Sequence, residues 1–95
     1  MKSVKDQSHK AQPKTIKTYV TVSAIFNLDG KLTPEYIRWR DGRIFRIEKI
    51  IGVENYTKDS IINMDVMYTC SILGKVCHLY FENWSKWFVE EKVAA

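Results

Sequence analysis

An all-β fold is predicted for this chain: a small antiparallel meander of about six strands, curled into a barrel or half-open roll. Three observations carry the prediction. Apolar residues recur with a period of two along most of the chain. Two segments, centred on Asp41-Gly42 and on Gly74-Lys75, read as hairpins. The only segment open to a helical turn, "NYTKDSII" at 55–62, is too short and too polar to pack as a full helix. Strands this close in sequence favour a meander, and closure removes exposed edges.

The first strand is predicted from about residue 16 to 27, in "IKTYVTVSAIF". Val20, Val22, Ala24 and Phe26 fall on one face, and Lys17, Tyr19, Thr21 and Ser23 on the other. β-Branched residues dominate, as a pleated half-buried surface prefers. "LDGK" then supplies a turn, with Gly30 suited to a positive φ. Pro34 keeps the start of the second strand out of a ladder centre.

Register decides how "YIRWRDGRIFRIEKI" at 36–50 folds. A two-residue turn at Asp41-Gly42 sets Ile37 against Arg46 and Arg38 against Phe45. A three-residue loop, Arg40-Asp41-Gly42, with a left-handed glycine bulge sets Ile37 against Phe45 and Glu35 against Ile47. Only the second register puts Ile37, Trp39, Phe45 and Ile47 on one apolar face, so it is preferred. The other face then carries Tyr36, Arg38, Ile44 and Arg46. The third strand is expected to run to about Val53, with an irregularity near "EKII".

A second hairpin is predicted in "MDVMYTCSILGKVCHLYFE", with Gly74-Lys75 as a type II′ turn. That register sets Ile72 against Cys77, Cys70 against Leu79 and Tyr68 against Phe81. Its reverse face pairs Ser71 with His78 and Thr69 with Tyr80. A final strand, "KWFVE", follows a turn that holds Trp84. Trp39, Phe45, Tyr68, Phe81, Trp87 and Phe88 are expected in the core.

The 95 residues are 45% hydrophobic and 13% aromatic, enough for one domain with one core. Charge is unevenly placed. Residues 1–15 hold four lysines and one aspartate, whereas residues 16–95 hold eleven Lys and Arg against ten Asp and Glu. A disordered basic tail at 1–15 and a single β domain at 16–95 are therefore expected. The near balance of the folded part counts against strong non-specific nucleic-acid binding. No apolar run is long enough for a membrane-spanning helix, and no apolar segment follows the first lysines as in a signal peptide. A reducing cytoplasmic location is expected, and the "NWS" sequon at Asn83 then has no role.

Catalytic patterns are weak. His78 faces Ser71 in the predicted hairpin, but no glycine-bearing elbow or orienting acid accompanies the pair. Cys70 and Cys77 lie diagonally on one face and read as two buried, unreactive thiols, with a redox pair as the second reading. A C-x6-C spacing with one histidine pointing away does not make a zinc site. The four glycines sit in separate segments, so there is no phosphate loop. No enzyme, metal or cofactor is expected. Arg38, Arg40, Arg43 and Arg46, with Tyr36 nearby, are the candidate binding surface, since arginine forks grip phosphates and aromatics stack on bases. Glu35, Asp41 and Glu48 offset part of that charge. Trp84 is the candidate exposed aromatic.

The order "W-x-DGR-x-F-x-I", then "YTCSILGK", then "WFVE" resembles a family of small uncharacterised bacterial β-rich proteins. Trp39, Asp41, Gly42, Arg43, Phe45, Ile47, Tyr68, Thr69, Cys70, Ile72, Gly74, Lys75, Glu82, Trp87, Phe88, Val89 and Glu90 carry the likeness, across about residues 20–90. The loop at 55–65 departs from that pattern. The resemblance implies no activity, only an association of similar small reading frames with repair-type DNA polymerases. The expectation is a non-enzymatic binding or accessory module for an unidentified protein partner, as a monomer or an edge-paired homodimer. The alternative is a weak nucleic-acid-binding small β-barrel associated with DNA repair or replication.

Overall fold

Two Asp-Gly turns shape the first half of the chain, and they are built alike. In one, Gly30 donates its backbone N–H to the carbonyl of Asn27, and Asn27 donates to Lys31. In the other, Gly42 donates to Trp39, and Trp39 donates to Arg43. Each aspartate accepts the N–H two residues on, Asp29 from Lys31 and Asp41 from Arg43, both at 3.0 Å. Gly30 and Gly42 have φ of 87° and 95°, a region that a side chain disfavours.

These turns join β1 (Lys14–Phe26) to β2 (Leu32–Arg38) and β2 to β3 (Ile44–Arg46). β4 (Lys49–Tyr56), β5 (Asp65–Ile72), β6 (Lys75–Glu82) and β7 (Lys86–Val93) complete the fold. The computed structural model describes residues 14–56 and 65–93. Over them the chain forms one seven-stranded antiparallel sheet in the order β3-β2-β1-β7-β6-β5-β4. The all-β expectation holds, as a half-barrel with seven strands rather than six. β1 begins at Lys14, inside the expected tail. The rest of that tail, and most of the segment at 55–62, lie outside the described residues.

The first hairpin has the preferred register: Ile37 faces Phe45, and Ile47 donates its N–H to the carbonyl of Glu35. Ile37 and Ile47 are buried, while Arg38 and Arg46 are exposed. Pro34 lies inside β2 rather than before it. The ladder with β1 shifts there, Ser23 facing Tyr36 and Ala24 facing Pro34, so Glu35 is the extra residue of a bulge. The bulge tolerates a proline without an N–H. It also lets Pro34 and Ile37, three residues apart, both be buried.

The irregularity expected near "EKII" is where the chain changes sides. Ile47 bonds back to β2, whereas the N–H of the next residue, Glu48, is donated to Ser71 of β5 at 2.8 Å. Two residues thus connect the first and last strands of the sheet order, which is possible only if the sheet curls. A second bond confirms the curl: the Tyr68 hydroxyl on β5 donates to the Leu32 carbonyl on β2 at 2.6 Å. Its burial pushes the Tyr68 phenol above its ordinary range.

The concave side holds the core: Ile37, Ile47, Val66, Tyr68, Cys70, Leu79 and Phe81, with Trp87 and Val89 against it. Trp39 and Phe45 are half-buried. On the other face, Tyr80 stacks on Phe88 at 4.7 Å and Tyr19 meets Phe88 edge-on at 5.9 Å. The reverse side of the second hairpin is therefore not wholly wet. Nearby, Glu82 accepts from Lys17 Nζ at 2.6 Å and from the Tyr19 hydroxyl at 2.8 Å, which holds its carboxyl below the usual range.

The turn of the second hairpin differs from the expected one. It is Leu73-Gly74, both at positive φ (51° and 75°), a type I′ turn. Ile72 faces Lys75, Cys70 faces Cys77, and Thr69 faces His78. Each pairing moves by two residues from the sequence reading. An even shift keeps every side chain on its expected face, so the apolar side is unchanged. Leucine is a costly choice at a left-handed position. Leu73→Asn is expected to stabilise the domain by about 0.5–1 kcal/mol, seen as a higher urea midpoint. A lower midpoint would show that Leu73 contributes packing that outweighs its backbone strain.

Candidate functional site

The six sequence-predicted site residues do not form one site. Tyr36 and Arg46 face each other across β2 and β3, and Arg38 faces Ile44, all on the exposed side of that hairpin. Among the described residues Arg38 and Arg46 have no ion-pair partner. Arg40 and Arg43 leave that face. The Arg40 guanidinium lies 4.8 Å from the Trp39 ring centre and pairs with Glu91 at 3.3 Å. Arg43 Nε pairs with Asp41 at 2.7 Å, and its guanidinium sits 5.4 Å from the Phe45 ring centre. A single four-arginine patch is thus replaced by an unpaired couple and a neutralised couple. The cause is that regular alternation stops at Arg38, where β2 ends, and the turn closed by Trp39, Gly42 and Arg43 redirects the loop arginines toward the mouth of the half-barrel.

Arg40 and Arg43 border a groove of about 930 Å³ at that mouth, lined also by Ile37, Phe45, Lys75, Cys77, Val89 and Glu91. The Glu91 carboxyl is held below its usual range first by the Thr18 hydroxyl, which donates at 2.6 Å, and then by Arg40. Cys77 is half-buried here rather than sealed, which corrects the expectation of two buried thiols. Cys70 lies directly opposite and behind it, 0% exposed, with the two sulfurs 3.9 Å apart. The contact between the two sulfurs pulls Cys77 down to about 7, while the same contact and burial push Cys70 up.

Trp84 lies at the other end of the β5–β6 hairpin, in a turn where it and Asn83 both have positive φ. It is exposed as expected and meets Phe81 edge-on at 5.7 Å. It helps to line a second groove of about 750 Å³, with Phe26, Leu32, Ile50, Val53, Val66 and Phe81. Alternation puts Phe26 on the same face of β1 as Val20, Val22 and Ala24, but that face is not covered along its whole length. Val20 and Val22 are half-buried, but Ala24 and Phe26 are exposed. β7 pairs with β1 only from Lys14 to Val20, so the last six residues of β1 run past the strand that would cover them. No local sequence signal reveals where a distant strand stops.

The expected Ser71–His78 pair is also corrected. His78 faces Thr69 and is exposed, and Ser71 donates its hydroxyl to Glu48 at 3.0 Å. Glu48 also accepts the N–H of Gly74 at 3.1 Å, so it ties the strand crossing to the turn. Among the described residues no group of three or more His, Cys, Asp or Glu is placed to hold a metal ion. No helix among them is long and apolar enough to cross a membrane. Comparisons of the chain with family models, with curated proteins and with solved structures find no match.

Proposed function

We propose that this domain is a non-enzymatic binding module that takes an apolar segment of a protein partner into the groove between Phe26 and Trp84. The observation that supports the reading most directly is the exposure of those two aromatics, 74% and 64%, on the walls of one groove. Among the described residues lining it, Lys31 alone is charged. Contiguous exposed apolar surface marks contact sites, and aromatic side chains are the usual anchors there. The complementary occupant is an aliphatic or aromatic segment with an acidic residue placed for Lys31. A cytoplasmic setting belongs to the same reading.

Selection of displayed peptides on the full chain tests it. Apolar peptides with an acidic flank are expected to bind, with a change in tryptophan fluorescence. Phe26→Asp and Trp84→Ser are each expected to weaken the selected peptide about tenfold or more, about 1.4 kcal/mol. Circular dichroism should stay as in the wild type. Selection of no such peptide, or unchanged binding by both variants, overturns the proposal.

The alternative, weak nucleic-acid binding, draws support from Tyr36, Arg38 and Arg46 on one exposed face with both arginines unpaired among the described residues. It requires affinity for oligonucleotides that falls as salt rises, and Arg38→Ala is then expected to reduce the salt slope by about one. Absence of binding at about 50 mM salt removes this reading.

A further inference from the structure

Cys70 and Cys77 share a feature that packing alone does not require. They are cross-strand partners, their sulfurs 3.9 Å apart, with one sealed in the core and the other on a groove wall. We propose that they form a redox-active dithiol that reacts with anionic low-molecular-weight disulfides entering the 930 Å³ groove, Cys77 attacking and Cys70 resolving.

The geometry assigns the order. Only Cys77 opens to the groove, so only its sulfur meets an incoming disulfide. Arg40 and Arg43 at the groove are paired with Glu91 and Asp41. Lys75, two residues along β6 on the same face as Cys77, and Lys92 line it with no ion-pair partner among the described residues. Such cations favour a thiolate and draw a carboxylate-bearing disulfide. In the first step the Cys77 thiolate attacks one sulfur of the incoming disulfide. A mixed disulfide forms and one small thiolate leaves. In the second step Cys70 gives up its proton to that released thiolate and attacks Cys77 Sγ. The cross-strand bond forms and the second small thiolate departs. Two protein thiols are oxidised and one disulfide is reduced to two thiols.

The product is strained, which makes the reaction reversible. Counting from the Leu73-Gly74 turn, the pair flanking it exchanges both backbone hydrogen bonds, and so does every second pair. Cys70–Cys77 is such a pair. Its strands are held so that opposed Cβ atoms sit about 4.5–5.5 Å apart, wider than the ~3.8 Å a disulfide prefers. Strained disulfides are the easily reduced ones.

The test uses the folded, reduced full chain with glutathione disulfide, read by intact mass. The wild type is expected to end two hydrogens lighter, as a monomer that dithiothreitol restores. Cys70→Ala is expected to stop at a glutathione adduct. Cys77→Ala is expected to form adduct about tenfold more slowly or less, as a sealed, protonated thiol does. Isotope-coded alkylation of the wild type gives the same order without variants: Cys77 is labelled first. A wild type that stays reduced or stops at the adduct overturns the proposal. Equal reactivity of the two cysteines in the folded chain overturns it as well.

Discussion

Leu79→Ala is expected to lower the unfolding free energy by about 2–5 kcal/mol, read as a fall in the urea midpoint at constant slope. Leu79 is 0% exposed and stands opposite Tyr68 in the centre of the concave core. Ile37, Ile47, Cys70 and Phe81 belong to the same cluster. The strands on either side are held by their ladders, so the walls of the vacated space cannot fully collapse, and the cost includes a cavity as well as lost transfer energy. Domains have only about 5–15 kcal/mol to lose, so the upper end of the range leaves little folded protein at physiological temperature. Val76→Ala, exposed on the same strand, serves as control with an effect within about 0.5 kcal/mol. A Leu79→Ala cost below about 1 kcal/mol would show that the concave face is not the core.

Phe88→Ala is expected to cost about 3–5 kcal/mol, though Phe88 points away from that core. On β7 its neighbours Trp87 and Val89 pack against the concave cluster, so alternation sends Phe88 to the opposite face. There it is 2% exposed, because three side chains cover it. Tyr80 stacks parallel to it, Tyr19 approaches edge-on, and the Lys17 ammonium lies 4.8 Å from its ring centre. Offset and edge-on aromatic pairs add to the burial energy. The variant also removes the surface on which Lys17 and Tyr19 rest while they hold Glu82. A cost within about 0.5 kcal/mol, the ordinary value for an outward substitution, would mean that this aromatic stack contributes nothing.

Much of the fold was legible locally, and the two hairpins show how far such reading goes. At Asp41-Gly42 the apolar pattern admitted one register, and the glycine, at φ 95°, sits where the three-residue loop needs it. At the second hairpin the same logic chose Gly74-Lys75, because glycine opens a type II′ turn. The chain instead forces Leu73 into the left-handed region. Glu48, 26 residues from Gly74, accepts that glycine's N–H, and no turn propensity contains that bond. The candidate site was less legible. Arginine counts along the chain suggested one patch, but Glu91, 51 residues from Arg40, takes one member and Asp41 takes another. Alternation put Phe26 on one face with Val20 and Val22, but it names a face without saying whether another strand covers it.

The residues alone determined the all-β class, the apolar face of each hairpin and the positive φ of Gly30 and Gly42 in the first two turns. Period-two patterning and positive φ are properties of a few neighbouring residues. Only the tertiary structure decided that Ile47 and Glu48 bond to different strands, that Cys77 opens to a groove, and that Phe26 and Trp84 stand together in water. Each of these depends on where a strand distant in sequence begins or ends. That is settled by the curl of the whole sheet, through hydrogen bonds such as Tyr68 to Leu32 that join residues 36 apart.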